Sequence, residues 1–171
     1  MKFLKYFLGF LIIIIIAFFA VGLFVPTFSY QSSVKVDAPV EKVWEVFVDE
    51  SKLPYWMDGF QSIETISGKR NEVGSIYELV FLQGGEEIKL TETLKAFEPG
   101  KLFAMKIESD FLSSDTKVNF EQEGDQTIIT AVNRVEGNNL FKKSICFLSK
   151  STFQEMSTKQ YTKLKDIIEN E

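Results

Sequence analysis

The 171-residue sequence contains no histidine, so the commonest general base and the commonest zinc ligand are both absent. Its only cysteine, Cys146, excludes an intrachain disulfide and any metal site built from several cysteines. The Gly84-Gly85 pair is not a phosphate-binding loop, because it lacks the longer glycine pattern and a following Lys-Ser or Lys-Thr. The sequence therefore predicts no catalytic triad, no metal site and no cofactor.

Positive charge is also scarce. The chain has 19 Lys and Arg against 24 Asp and Glu, and all of the acids lie after residue 30. Nucleic-acid phosphates are neutralised by clustered Lys and Arg, so this balance predicts no nucleic-acid partner. It also argues against a large basic face that docks on anionic lipid.

One long apolar run lies near the N-terminus. Residues 6–25 are uncharged and, at about 1.5 Å per residue, long enough to cross a hydrocarbon core of roughly 30 Å. They predict a transmembrane helix that contacts the lipid bilayer. Lys2 and Lys5 precede the run, whereas residues 26–34 carry no charge. The positive-inside tendency therefore predicts a single-pass protein of the cell (inner) membrane, with a cytoplasmic N-terminus and an extracytoplasmic domain.

A cleaved signal peptide is the alternative interpretation of this run. Ala20 and Gly22 are small residues at a spacing that suits cleavage, but apolar signal regions of about 7–15 residues are shorter than this one. Pro26 ends the predicted helix, and residues 27–33 are predicted to be a linker. The chain is thus divided into a signal anchor with its linker, residues 1–30, and one domain, residues 31–171.

The domain changes its hydrophobic period twice. A helical stripe near its start consists of Val40, Val43, Trp44 and Phe47. From residue 60 to residue 135 the period is two, interrupted by turn residues, which indicates antiparallel strands. The strands are predicted at residues 33–37, 62–67, 75–83, 87–97, 102–108, 117–121 and 127–135. A long amphipathic helix, interrupted near residues 149–151, ends the chain. This order predicts an α+β fold in which the long helix covers a curved sheet of about seven strands.

Residues 34–60, VKVDAPVEKVWEVFVDESKLPYWMDGF, resemble the opening of the START-like (SRPBCC) superfamily, especially its polyketide cyclase/dehydrase and lipid-transport branch. Three motifs carry the resemblance: Ala38-Pro39, Val43-Trp44 and Pro54-Tyr55-Trp56. Later similarities are the Glu98-Pro99 turn and the terminal helix. The resemblance implies a helix-grip fold that leaves a hydrophobic cavity between the sheet and the C-terminal helix.

Alternation along the strands predicts which side chains face such a cavity. The candidate ligand-pocket residues are Trp56, Tyr77, Leu79, Phe81, Leu90, Glu92, Met105, Ile107, Val118, Phe153 and Met156. The same apolar residues would equally suit a fully packed core.

Glu92 is the one candidate for catalysis. It shares a strand face with Leu90 and Leu94, so in a cavity its carboxyl would be desolvated and its pKa raised. The alternative is that Glu92 lies near a strand end or pairs with a lysine on the neighbouring strand.

Three functions follow from these observations. The leading hypothesis is a membrane-anchored binding domain for a small hydrophobic or lipid-like ligand. The second is a cyclase- or hydratase-type enzyme that uses Glu92 and a tyrosine such as Tyr77; the absence of histidine disfavours it. The third is an interaction domain with a packed core and no ligand.

Overall fold

The computed structural model describes residues 2–170 and has an α+β architecture. The helices are α1 (Lys2–Phe24), α2 (Val40–Val48), α3 (Leu53–Trp56), α4 (Leu140–Leu148) and α5 (Lys150–Asn170), with a 3-10 turn at Glu50–Lys52. The strands are β1 (Thr27–Val36), β2 (Phe60–Ser67), β3 (Ile76–Gln83), β4 (Glu86–Glu98), β5 (Leu102–Glu108), β6 (Leu112–Glu123) and β7 (Gln126–Gly137).

The seven strands form one antiparallel sheet in the order β1-β7-β6-β5-β4-β3-β2. Hairpins connect consecutive strands from β2 to β7, and β1 closes the order by pairing with β7 from Thr27 opposite Glu136 to Val36 opposite Thr127. The predicted sheet of about seven strands around a long C-terminal helix is confirmed. The architecture is a helix-grip fold.

The prediction of a linker at residues 27–33 was wrong, because these residues are the first part of β1. Only Val25 and Pro26 separate the end of α1 from this strand. The alternation of Phe28, Tyr30 and Ser32 with more polar residues is a strand pattern that the preceding apolar run obscured. The apolar helix is therefore joined directly to the edge strand of the sheet.

Strand β6 is also longer than the prediction of residues 117–121. Its first half contains Ser113, Ser114 and Asp115, residue types that have low strand propensity. These residues pair with β5 on one side and with β7 on the other, and the two ladders outweigh the local preference.

The terminal helix is divided at Ser149, within the predicted interruption. Its longer part, α5, buries a stripe three and four residues apart consisting of Ser157, Tyr161, Leu164 and Ile168. This stripe joins the main core, where α2 supplies Val43, Trp44 and Phe47. A second, smaller cluster of Phe28, Val135 and Cys146 lies under α4.

Candidate functional site

A cavity of about 80 Å³ lies between α3 and the inner face of strands β2 to β5. Fourteen residues line it: Phe47, Val48, Glu50, Leu53, Trp56, Met57, Ile63, Asn71, Tyr77, Leu79, Glu92, Leu94, Phe103 and Met105. Most of them are apolar, and the few polar groups are therefore the ones that can orient a ligand.

Glu92 is the buried acid of this cavity. It lies in β4 between Tyr77 of β3 and Ile107 of β5, and only 6% of its surface is exposed. Within residues 2–170 no hydrogen bond or ion pair reaches its carboxyl group. Burial, with a smaller effect from the negative charge of Glu50, raises the pKa of Glu92 from 4.5 to about 7. The carboxyl can thus donate or accept a proton near neutral pH.

Trp56 supplies an unpaired donor in the same wall. Its side chain is buried, and its Nε1 has no hydrogen-bond partner among the described residues. Leaving a buried N–H unpaired costs roughly 1–3 kcal/mol, so such a group calls for an explanation. A ligand oxygen could reach Nε1 only after the wall of the cavity moves, because the atom itself is buried.

Tyr77 has a different role, because its hydroxyl is already bonded. It accepts a hydrogen bond from the Asn71 N–H (2.9 Å) and donates one to the Lys69 carbonyl (3.4 Å). Both partners belong to the β2–β3 loop, residues 68–75, which Ser75 also braces through its bonds to Lys69. Tyr77 therefore fixes the loop that closes one side of the cavity.

An ion pair between the β2–β3 loop and the 3-10 turn also closes this side of the cavity. Arg70 of the loop lies 3.2 Å from Glu50 of the 3-10 turn, and both side chains are at least one-third exposed. Exposed pairs of this kind contribute roughly 0–1 kcal/mol. The contact between the loop and the turn is thus weak.

Five of the predicted pocket residues line the cavity: Trp56, Tyr77, Leu79, Glu92 and Met105. The other six do not: Phe81, Leu90, Ile107, Val118, Phe153 and Met156. Phe81 packs against Phe60 with ring centroids 5.7 Å apart, and Val118 is fully buried in the main core. Phe153 belongs to the second cluster, and Met156 is 55% exposed on α5.

The cavity does not lie where the sequence predicted it. None of its lining residues belongs to α5, whereas the sequence predicted a space between the sheet and that helix. Trp56 lies between the two, with its ring 5.6 Å from Phe47 and 6.4 Å from Tyr161 of α5. The Trp56 side chain, predicted as a pocket residue, thus lies between the cavity and the long helix.

The cavity is also small, because aromatic rings fill most of the interior. Phe47 makes edge contacts with Phe103 (5.4 Å) and Phe120 (5.0 Å), and Trp44 makes them with Phe97 (5.2 Å) and Phe120 (5.2 Å). Typical small-molecule sites enclose about 300–1,000 Å³. The cavity is smaller than such sites, so a ligand of the usual size would require α3 or the loop to move.

Several lining residues lie outside the predicted set. Phe47 falls on the helical stripe of α2, a pattern that equally indicates packing. Asn71 lies in a loop with positive φ (59°), and no periodicity indicates where such a residue points. Within residues 2–170, no three His, Cys, Asp or Glu side chains come together as metal ligands would.

The family model described as polyketide cyclase / dehydrase and lipid transport matches residues 27–169. The chain belongs to this family. The match begins at the first residue of β1, so α1 lies outside the part that the family shares. The resemblance recognised from Ala38-Pro39, Val43-Trp44 and Pro54-Tyr55-Trp56 is thereby confirmed.

Solved structures share the fold at low sequence identity. Zhui aromatase/cyclase from Streptomyces sp. R1128 has 10% identity and a TM-score of 0.61 over 82% of this chain and 96% of that chain. TTHA0849 from Thermus thermophilus has 16% identity and a TM-score of 0.66 over 82% and 96%. A conserved protein from Geobacillus kaustophilus has 15% identity and a TM-score of 0.68 over 82% and 95%. No curated protein compared with the chain is similar enough in sequence to count as a match.

Proposed function

We propose that this member of the family is a membrane-anchored binding domain for a small, mostly apolar ligand that carries an oxygen function. The observation that supports the proposal is the Glu92 carboxyl, which has no bonding partner among the described residues, in an otherwise apolar cavity with the Trp56 indole in its wall. A ligand hydroxyl or carbonyl could accept a hydrogen bond from the indole. A hydroxyl could also pair with the carboxyl.

A longer, lipid-like ligand requires the cavity to open. The exposed Glu50–Arg70 pair is the weak contact on the side of the β2–β3 loop, so this loop can move away from the 3-10 turn at little cost. Asn71 is the exposed member of the cavity lining and belongs to the same loop. We infer that a ligand enters beside Asn71.

The direction of entry follows from the proposed anchoring. With α1 across the cell membrane and Lys2 and Lys5 on the cytoplasmic side, the domain and the mouth of its cavity would lie on the extracytoplasmic side.

The full chain in detergent micelles tests the binding function. A thermal-shift screen with alcohols, phenols and ketones of four to ten carbons should find a saturable stabiliser. Glu92→Gln and Trp56→Phe should each weaken its binding by about tenfold, because each removes one hydrogen-bonding group from the ligand. The matched control Glu64→Gln, an exposed acid on β2, should bind as the wild type does. No saturable stabiliser, and no small molecule that co-purifies in native mass spectrometry, would favour a packed interaction domain instead.

A cyclase- or hydratase-type enzyme is the second candidate, supported by the raised pKa of Glu92. A carboxyl with a pKa of about 7 can act as a general acid or base near neutral pH. The bonded hydroxyl of Tyr77 gives no support to a second catalytic group there. An enzyme would lose turnover in Glu92→Gln while retaining substrate affinity, whereas a binding domain would show no turnover in either form.

A further inference from the structure

Helix α4 is not only a connection between β7 and α5. Phe141, Ser144 and Leu148 are three and seven residues apart and therefore lie on one face, which is turned toward α1. Phe141 is 52% exposed and Leu148 is 61% exposed, while Cys146 on the opposite face is buried against the sheet. In water, Phe141 and Leu148 at the two ends of this face would be exposed apolar side chains.

This face holds α1 through a close contact. The Gly22 N–H donates to Ser144 Oγ (3.1 Å), and Ser144 Oγ donates to the Phe18 carbonyl (2.7 Å). A Cβ atom added to Gly22 would lie 2.5 Å from Ser144 Oγ and 2.6 Å from the Leu140 carbonyl oxygen. The rings of Phe18 and Phe141 lie 5.5 Å apart. The two helices are therefore fixed against each other.

The contact between Gly22 and Ser144 determines how deep α4 would lie in a bilayer that α1 crosses. Gly22 and Phe18 are two and six residues before the end of α1 at Phe24, which corresponds to roughly 3 and 9 Å along the helix axis. If α1 crosses a bilayer, α4 must lie at that depth beside it. Interfacial amphipathic helices bury their apolar faces by about 5–10 Å. The exposed Phe141 and Leu148 would then contact lipid and not water.

The neighbouring loop extends the same surface. Phe111, in the turn between β5 and β6, is 39% exposed, and Lys142 of α4 lies over its ring at 5.6 Å. Residues 137–154 include Lys142, Lys143 and Lys150 but no acid, although the chain as a whole is acidic. Lysines around an apolar face are typical of helices that lie among lipid headgroups.

We propose that the α4 surface, defined as Phe111, Leu140, Phe141 and Leu148, lies in the interfacial layer of the same bilayer that α1 crosses. This inference rests on the membrane anchoring proposed above. The domain thus has two membrane contacts and a fixed orientation, with the β5–β6 turn toward the lipid. The occupant of the surface is the bilayer and not a second copy of the chain.

Quenching of single fluorescent labels tests the proposal with the full chain in nanodiscs of phosphatidylcholine and phosphatidylglycerol. Cys146→Ala removes the only cysteine, and Phe141→Cys, Leu148→Cys, Ile13→Cys or Asp125→Cys then provides one site for a bimane label. Ile13 lies in the middle of α1, and Asp125 lies in the β6–β7 turn at the opposite end of the strands. Nitroxide-labelled lipid and aqueous iodide are the two quenchers.

We expect labels at 141 and 148 to be quenched by the nitroxide lipid about threefold or more above the label at 125, and to be protected from iodide. If they respond as the label at 125 does while the label at 13 is quenched by lipid, the α4 surface is not in the bilayer and the anchor stands. If the label at 13 is also unquenched by lipid, the anchoring itself fails. Protection from iodide without lipid quenching would mean that a second copy covers the surface, which overturns the proposal.

Discussion

At the scale of single residues, the environment of Glu92 matters more than its chemical type. The protein has 24 acidic side chains, and among those that the structure describes Glu92 is the buried one, held between β3 and β5 with no bonding partner in residues 2–170. The folded state holds the Glu92 proton more tightly than the unfolded state does, because the folded pKa of about 7 lies above the ordinary 4.5. The stabilisation is complete below pH 4.5 and is lost as the pH rises through about 7.

This linkage predicts a pH-dependent loss of stability. The pKa difference corresponds to about 3 kcal/mol of unfolding free energy lost between pH 4.5 and pH 8. Glu92→Gln should remove this part of the pH dependence and should be more stable than the wild type at pH 8. Denaturant unfolding followed by tryptophan fluorescence, in micelles at each pH, measures both effects. Glu121 is an exposed acid on β6, so the control Glu121→Gln should retain the wild-type dependence of unfolding free energy on pH. The same dependence in Glu92→Gln would contradict the argument from burial.

At the scale of secondary-structure elements, the contact between α1 and α4 depends on a glycine. Ser144 bonds both to the N–H of Gly22 and to the carbonyl of Phe18, two groups that pair with each other in a regular α-helix. Such a close approach leaves no room for a side chain at Gly22. The same helix contains Gly9, where an added Cβ atom would meet nothing within 4 Å.

The two glycines give a matched pair of variants. Gly22→Leu should force α1 away from α4 and destabilise the domain in nanodiscs by about 1–3 kcal/mol, the usual cost of overpacking. Gly9→Leu adds the same side chain where α1 has open space around it and should change the unfolding free energy by less than about 0.5 kcal/mol. Denaturant midpoints of the two variants and the wild type provide the measurement. Equal effects of the two substitutions would mean that the helices do not pack as described.

At the scale of the whole molecule, α1 and the domain form one continuous structure. α1 is followed after two residues by β1, and its last two turns pack against α4, which itself covers the second cluster. Cleavage of a signal peptide after Gly22 would remove Phe18 and Gly22. These two residues are the hydrogen-bond partners that Ser144 has in α1.

We therefore expect α1 to be retained in the mature protein. Intact-mass spectrometry of protein purified from membranes should give the mass of the full chain, apart from removal of Met1, and carbonate washing should leave it in the membrane fraction. A soluble form that begins between residues 21 and 27 would contradict this expectation and would restore the signal-peptide interpretation.

The amino-acid sequence by itself determined the architecture of this protein. Secondary structure depends on local hydrophobic period, so the helical stripe from Val40 to Phe47 and the alternation after Phe60 were sufficient to predict the helices and the antiparallel sheet. The family was predicted from a resemblance carried by the motifs Ala38-Pro39, Val43-Trp44 and Pro54-Tyr55-Trp56. Glu92 was singled out for the same reason, because alternation puts it on the same strand face as Leu94. The first half of β1 was missed because the preceding apolar run obscured its alternation, and its pairing with β7, about 100 residues away, became visible only in the fold.

Only the tertiary structure decided the size and position of the candidate site and how α1 packs against the domain. Cavity volume is a small difference between the space inside the sheet and the volume of the rings that fill it, and this difference depends on how Phe47, Trp56 and Phe103 pack. The insertion of Ser144 against Gly22 joins residues 122 positions apart, a contact that no local pattern encodes. Local periodicity fixes which face of an element is apolar, and long-range packing fixes what that face meets.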